Sequence, residues 1–157
     1  MDDWRLLRSL RLAALSTDPG AFGSTYEREV AFDDEEWQAR AGAAATGAGS
    51  CYLLAEQDGE VVGLIGAWWP SDAEFPEMVS MWVRPEARGG GVARRLVDGL
   101  IEWARDVDAA GIGLYVTLGN DPAERLYRSA GFDDWPDGSG VSIHPCSDER
   151  RMLRRLP

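Results

Sequence analysis

Three adjacent glycines, Gly89, Gly90 and Gly91, constrain this chain more than any other feature. They lie within Met78 to Ala110, which reads as a buried strand (Met78 to Val83), a turn (Arg84-Pro85-Glu86-Ala87), a glycine-rich bend (Arg88-Gly89-Gly90-Gly91-Val92-Ala93) and a helix. Glycine loses more backbone freedom on folding than any other residue, so three of them at a helix start are costly unless something must come close to the backbone. A helix N-terminus presents unpaired N–H groups and a partial positive charge, and the guest it suits is an anion such as phosphate. The bend therefore points to a site for a phosphate-bearing cofactor.

The rest of the sequence narrows the setting. A chain of 157 residues, 45% of them apolar, is expected to form a single domain over residues 1–157 with a real core. The formal charge of −11 argues against nucleic acid or an anionic membrane as partner and suits a cationic substrate. The acidic start Met1-Asp2-Asp3-Trp4-Arg5 does not read as a signal peptide, and no window approaches the roughly 20 apolar residues of a membrane span. A cytoplasmic location is the expectation, because Cys51 and Cys146 make no disulfide framework. One histidine and two cysteines do not build a common structural zinc site, so no metal is expected; His144 and Cys146 read as part of a loop.

Taken in order, the chain alternates helical and extended patterns. Leu6, Leu7, Leu10, Ala13 and Ala14 share one face of a first helix that should end near Ser16. Ala21 to Tyr26 reads as a loop or short turn, and a second helix should run from after Asp33 toward Ala41. Tyr52 to Glu56 and Val61 to Trp69 flank Asp58-Gly59, a hairpin signal. The central strand, Glu77 to Val83, would pair with the second of these, and its alternation places Glu77, Val79 and Met81 on one side. After the bend, Val92, Leu96, Leu100, Trp103 and Val107 form an apolar stripe at helical spacing. Gly111 and Gly113 are expected to stop that helix, before a strand at Leu114 to Leu118. Strand, helix and strand in succession imply a parallel pair. Asn120-Asp121-Pro122 should cap a short helix that Gly131 ends. Phe132 to Trp135 and Arg150 to Leu156 read as strands around a polar loop from Asp137 to Asp148.

Two motifs together resemble the GNAT superfamily of acetyl-CoA-dependent N-acetyltransferases. In the first, Arg88, Gly91 and Ala93 fill an R/Q-x-x-G-x-G/A signature after the strand Met81-Trp82-Val83. In the second, Asn120 to Phe132 fills N-x-x-A-x-x-L-Y-x-x-x-G-F at every position. A P-loop fits less well, because Gly91 leads into Val92 and Ala93 rather than Lys and Ser or Thr. A dinucleotide fingerprint beginning at Gly89 would need a small residue where Arg94 stands.

The resemblance implies an α/β fold: a mixed, mostly antiparallel central sheet with a splayed parallel strand pair and helices on both faces. It implies acetyl transfer from acetyl-CoA to a primary amine of a small molecule or peptide, by direct attack in a ternary complex, and allows a homodimer. Gly89 to Arg94, including Gly90, Val92 and Ala93, would turn N–H groups onto the CoA pyrophosphate, with Arg88 or Arg94 adding charge. The strand end at Met81, Trp82 and Val83 would pair with the pantetheine amides and polarise the thioester carbonyl. Tyr127 is the candidate general acid for the leaving thiolate, and Glu77 the candidate base for the amine. Asn120 either contacts the cofactor or simply caps its helix. Phe22, Tyr26, Trp68 and Trp69 are candidate walls of the acceptor pocket, and Glu27 a weaker cation-binding candidate. Two other classes stay open: a non-catalytic acyl-CoA-binding or sensing domain, and an interaction module.

Overall fold

The computed structural model describes residues 3–45, 49–136, 141–143 and 148–157; His144 and Cys146 lie outside the described residues. The elements follow in the order α1 (Asp3–Thr17), α2 (Tyr26–Val30), α3 (Asp34–Ala45), β1 (Ser50–Gln57), β2 (Glu60–Trp68), β3 (Glu77–Val83), α4 (Val92–Asp106), β4 (Gly111–Thr117), α5 (Asp121–Ser129), β5 (Asp133–Asp134), β6 (Val141–Ile143) and β7 (Asp148–Arg155). The strands form one sheet in the order β1-β2-β3-β4-β7-β5, and β6 also pairs with β7. Among the described residues, β3 and β4 are the one parallel pair; the other pairs are antiparallel. Helices cover both faces, so the mixed, mostly antiparallel fold expected from the sequence is the one observed.

Each face has its own core. On one, Leu7, Leu10 and Ala14 of α1 pack with Leu64 and Trp82. Leu6, expected on the same stripe, is 38% exposed. On the other, α4 buries Val92, Leu96, Val97, Leu100, Ile101 and Ala104 against Ile65, Ile112 and Leu114. Trp103 and Val107 only flank this core, because the buried stripe rotates toward Val97 and Ile101.

Asp58 (φ 55°) and Gly59 (φ 80°) make the β1–β2 turn, both left-handed as a tight two-residue hairpin requires. Residues 19–25 hold a 3-10 turn (Pro19–Ala21) and lead into α2, a helix where a loop or short turn was expected. Thr25 caps α2, its Oγ1 accepting from the Arg28 N–H at 3.3 Å. A Ser-Thr pair before Tyr-Glu was the available signal. α3 runs to Ala45, past the expected end near Ala41.

The expectation that Gly111 and Gly113 end α4 is corrected. The helix ends at Asp106, Asp108 turns left-handed (φ 54°), and the Ala109 N–H donates to Ala104 O at 2.9 Å. Both glycines lie in β4, where they permit close packing. A Cβ on Gly111 would sit 2.9 Å from Arg154 O and 3.0 Å from the Phe75 ring; one on Gly113 would sit 3.1 Å from Trp135. β6 also falls in a segment expected to be loop, and β7 begins at Asp148 rather than Arg150.

The alternation expected along β3 is broken as well. Ser80 has φ 59°, a left-handed value rare outside glycine, and the β2–β3 register shifts beside it. Met78 and Val83 consequently enter the α4 core, while Trp82 enters the α1 core. Met81 packs toward the α4 side and does not share a face with Glu77 as the simple period would have it.

Candidate active site

β3 and β4 pair at only two positions, Glu77 with Gly113 and Met78 with Leu114. Beyond them the strands part, and the gap is a cavity of about 540 Å³. Met81, Trp82 and Val83 line one side; Leu114, Tyr115 and Val116 line the other. The glycine bend closes one end through Gly89, Gly91, Ala93 and Arg94; α5 contributes Ala123 and Tyr127, and its N-cap residue Asn120 joins them. Gly91 is the N-cap of α4 (φ 77°), and Gly89 is also left-handed (φ 81°). The left-handed residues at this junction are both glycine, as backbone sterics favour. A Cβ on Gly89 would meet nothing within 4 Å, so the protein itself leaves that space open. Gly90 and Val92 stand apart from the wall. Gly90 is exposed on the bend and Val92 is buried in the core.

The two arginines are already engaged. Arg88 Nε donates to Val83 O at 2.9 Å, and its Nη2 donates to Asp18 Oδ2 at 2.5 Å. Asp18 Oδ2 also accepts from Trp82 Nε1 at 2.8 Å. Arg88 thus ties the end of β3 to the turn after α1. Arg94 Nε donates to Asp98, and its Nη1 donates to Ser129 O at 3.2 Å, linking α4 to α5. Asn120 caps α5, its Oδ1 accepting from the Ala123 N–H at 3.3 Å, while still lining the cavity.

A second cavity, of about 480 Å³, opens on the α1 side of the same strand. Ala21, Phe22, Met78, Val79, Ser80 and Tyr115 line both cavities, so the two meet along this wall. Glu77 belongs to the second cavity alone, with Glu149, Arg11 and Ser24. Tyr127 belongs to the first alone. Of the expected acceptor walls, Phe22 is present. Tyr26, Trp68, Trp69 and Glu27 line neither cavity; Trp68 is 52% exposed, and Trp69 Nε1 donates to Ala73 O.

Burial sets the character of both candidate catalytic groups. It pushes the Glu77 carboxyl above its ordinary value; Arg151 opposes the rise and Glu149 adds to it. It pushes the Tyr127 phenol far above its ordinary value. The ring packs edge-on against Phe132, centroids 6.1 Å apart. A raised phenol stays protonated at neutral pH and is available as a donor, not as a base. Cys51 is buried in the core, and burial raises its thiol to about 11; it lines neither cavity. Among the described residues, no group of three or more His, Cys, Asp or Glu side chains could hold a metal ion, and no helix is long and apolar enough to cross a membrane.

Sequence reading missed Arg11, Ser24, Ser80, Tyr115 and Glu149. Arg11 had a signal: it falls on the stripe of Leu7, Leu10 and Ala14, where an arginine is out of place. The other four carry no local mark.

A mixed sheet whose parallel pair splays around a cleft, with a glycine-rich helix start at its mouth, defines an α/β fold with a ligand cleft between diverging strands. The profile of the acetyltransferase (GNAT) family matches residues 10–132. The chain belongs to this family. A Bacillus subtilis protein assigned as a ribosomal-protein alanine N-acetyltransferase is 31% identical over 102 residues, covering 65% of each chain. An IAA acetyltransferase of Azospirillum brasilense is 37% identical over 86 residues, covering 53% of this chain and 54% of that protein. The chain thus spans less than two thirds of the length of these curated relatives. The crystal structure of a ribosomal-protein-alanine N-acetyltransferase from Brucella melitensis superposes with a TM-score of 0.77 at 25% identity, covering 98% of this chain and 94% of that one.

Proposed function

We propose that this protein transfers the acetyl group of acetyl-CoA to a primary amine of a small molecule or peptide, by direct attack within a ternary complex. The observation that carries the reading is the meeting of two cavities at the Met78–Ser80 wall, with a half-buried carboxyl in one and a buried phenol in the other.

The residues divide the work by position. The N–H groups at the start of α4 and the open space over Gly89 and Gly91 receive the pyrophosphate of CoA. The edge of β3 from Met81 to Val83, left unpaired where β4 diverges, offers backbone groups to the pantetheine arm. One of these N–H groups stabilises the oxyanion at the thioester carbonyl as the amine adds. Glu77 first accepts a proton from the bound ammonium; its raised affinity for protons brings it closer to the amine it serves. Tyr127 then donates its phenolic proton to the departing thiolate, the adduct nitrogen releases its second proton to solvent as the amide forms, and the phenol is reprotonated from solvent. Bringing both substrates to one wall supplies the proximity that a bimolecular aminolysis lacks. Cys51 lies in the core and lines neither cavity, which supports direct transfer over an acyl-enzyme at that thiol. Asn120 and Arg88 act through position, one by holding α5 and the other by holding the end of β3.

The test is thiol release and product mass across a panel of primary amines with acetyl-CoA. Amine-dependent release with an added acetyl mass is expected. Tight CoA binding with no turnover on any amine would refute catalysis and favour a sensing role.

A further inference from the structure

Rings and guanidinium groups alternate across β7 and its neighbours, in a run that the chemistry above leaves unused. Arg155 lies over Phe75, its Cζ 5.8 Å from the ring centroid, and Phe75 packs edge-on to Trp135 at 5.9 Å. Arg151 lies on the Trp135 ring, its Cζ 3.4 Å from that centroid and 5.5 Å from the centroid of Tyr115. The negative face of an aromatic ring attracts a cation and holds it there. Gly113 makes room for the arrangement, because a Cβ on it would sit 3.1 Å from the Trp135 ring. The run ends at Tyr115, on the wall that both cavities share.

Strand register carries the run to Glu77. Glu77 stands opposite Gly113, Tyr115 follows on the same face of β4, and Arg151 stands opposite Tyr115. Glu149 shares that face of β7, opposite Thr117. β4 therefore lies between the carboxyl and the guanidinium, and Arg151 acts on Glu77 by charge, without a hydrogen bond between them. Burial presses the Glu77 carboxyl toward its protonated form, Arg151 opposes that, and Glu149 adds to it. The other groups around Glu77 supply no such charge. Arg11, from α1, donates from Nε and Nη2 to Glu29 at 3.0 and 2.8 Å, which answers its charge. Ser24 and Tyr115 bring a hydroxyl each, and Trp68, opposite Glu77 on β2, brings an indole.

A carboxylate that takes a proton from an ammonium must be ionised, and its oxygens must be free. A direct ion pair achieves the first and defeats the second, since it occupies the oxygens it ionises. A cation held across β4 favours ionisation and leaves the oxygens open, provided that something keeps it from swinging over. The Trp135 ring is that restraint. Resting on the acetyltransferase reading above, we propose that Arg151, anchored on Trp135, is a positioning residue: it supplies the fixed positive charge beside which Glu77 works as base, and it leaves both carboxylate oxygens to the amine. Arg151 itself lines neither cavity.

The experiment takes two readouts on the full chain. Protein labelled with carbon-13 at the glutamate side-chain carboxyl is titrated by NMR, and the Glu77 signal is assigned by its loss in Glu77→Gln. The pH dependence of kcat/KM is followed with the fastest amine of the panel at saturating acetyl-CoA. Arg151→Met keeps a long side chain on the Trp135 ring and removes the charge; a thermal melt first establishes that it is folded. In it the Glu77 midpoint and the acid limb of kcat/KM should both move to higher pH. On that limb the rate should fall about 3–10-fold below the wild type, and the two rates should converge as pH rises. Arg151→Lys keeps the charge and should restore most of the limb. Glu149→Gln removes the opposing charge and should move both readouts the other way. A purely structural role would lower the rate at every pH and leave the midpoint in place. An unmoved midpoint in folded Arg151→Met overturns the proposal, as do movements of the same sign in Arg151→Met and Glu149→Gln; Arg151→Gln takes the place of the Met variant if that one does not fold. A moved midpoint with an unmoved limb overturns Glu77 as the base and Arg151's part in catalysis, and leaves acetyl transfer standing. No turnover by the wild type on any amine, with CoA bound, overturns the acetyltransferase reading and this inference with it.

Discussion

Replacing Gly91 with alanine separates backbone strain from ligand exclusion. Gly91 has φ 77°, and its new Cβ would meet nothing nearer than Arg95 Nη1 at 3.5 Å, an ordinary contact. The cost to the folded chain is then the left-handed conformation itself, about 1–2 kcal/mol for a residue with a Cβ. In a domain of this size that lowers Tm by roughly 2–8 °C. Gly59 supplies the control: its φ is 80°, no atom lies within 4 Å of its Cβ, and it sits in the β1–β2 turn away from the cleft. Gly59→Ala should show the same stability loss and bind CoA as the wild type does. Gly91→Ala should lose that stability and also weaken CoA, because a methyl group enters the space from which a phosphate approaches the α4 N–H groups. Losing one charge-assisted bond of about 1.5–3 kcal/mol weakens binding about 10–100-fold. Calorimetric titration with CoA at a temperature where both variants are folded makes the comparison. Equal CoA affinity in Gly91→Ala and Gly59→Ala would refute the placement of the pyrophosphate. Gly91→Val should weaken CoA further, at a larger stability cost because the branched side chain resists positive φ.

Other expectations concern chemistry and scaffold. Tyr127→Phe keeps the ring against Phe132 and removes the proton donor, so kcat should fall about 10²–10⁴-fold while CoA affinity and Tm hold; unchanged turnover would exclude the phenol from the mechanism. Glu77 must be ionised to act, and its carboxyl is raised from 4.5 by burial, so kcat/KM should fall as pH drops through that raised value. Glu77→Gln should flatten this acid limb at a low rate. Because a raised carboxyl binds its proton more tightly folded than unfolded, the ionised group opposes folding, and Glu77→Gln should narrow the loss of stability seen as pH rises through the same window. Chemical denaturation at several pH values reads this directly. Asp18→Ala strips Trp82 Nε1 and Arg88 of a shared acceptor, and denaturant melts should show a loss of about 1–3 kcal/mol. A variant as stable as the wild type would mean that the Arg88 tie carries no weight.

How much of this was legible depended on how far apart the interacting residues stand. The bend, the hairpin turn and the α5 cap are written in consecutive residues, and glycine, Asp-Gly and Asn-Asp-Pro announce them without help from the rest of the chain. The splay of β3 from β4 followed from resemblance, not from pattern. Gly111 and Gly113 were misread as stops because their purpose lies in Phe75, Arg154 and Trp135, dozens of positions away in two directions. The Arg11–Glu29 pair spans 18 positions, and nothing local distinguishes Glu29 from its exposed neighbour Glu27. Ser80 was the least legible of all. A serine inside an apolar run gives no hint of a left-handed backbone, which the pairing of β2 with β3 imposes.

That serine also partitions the strand for future variation. Upstream of it, Glu77 lines the second cavity, proposed for the amine, and Val79 lines both; downstream, Met81 to Val83 line the first, proposed for CoA, and anchor both cores. Without the reset, alternate residues along β3 would belong to one face throughout, and a change that retuned the amine site would recur in step with the wall that holds CoA. With it, the two halves of a single seven-residue strand can vary independently: on the proposed function, the amine side upstream can change while the CoA side downstream stays as it is.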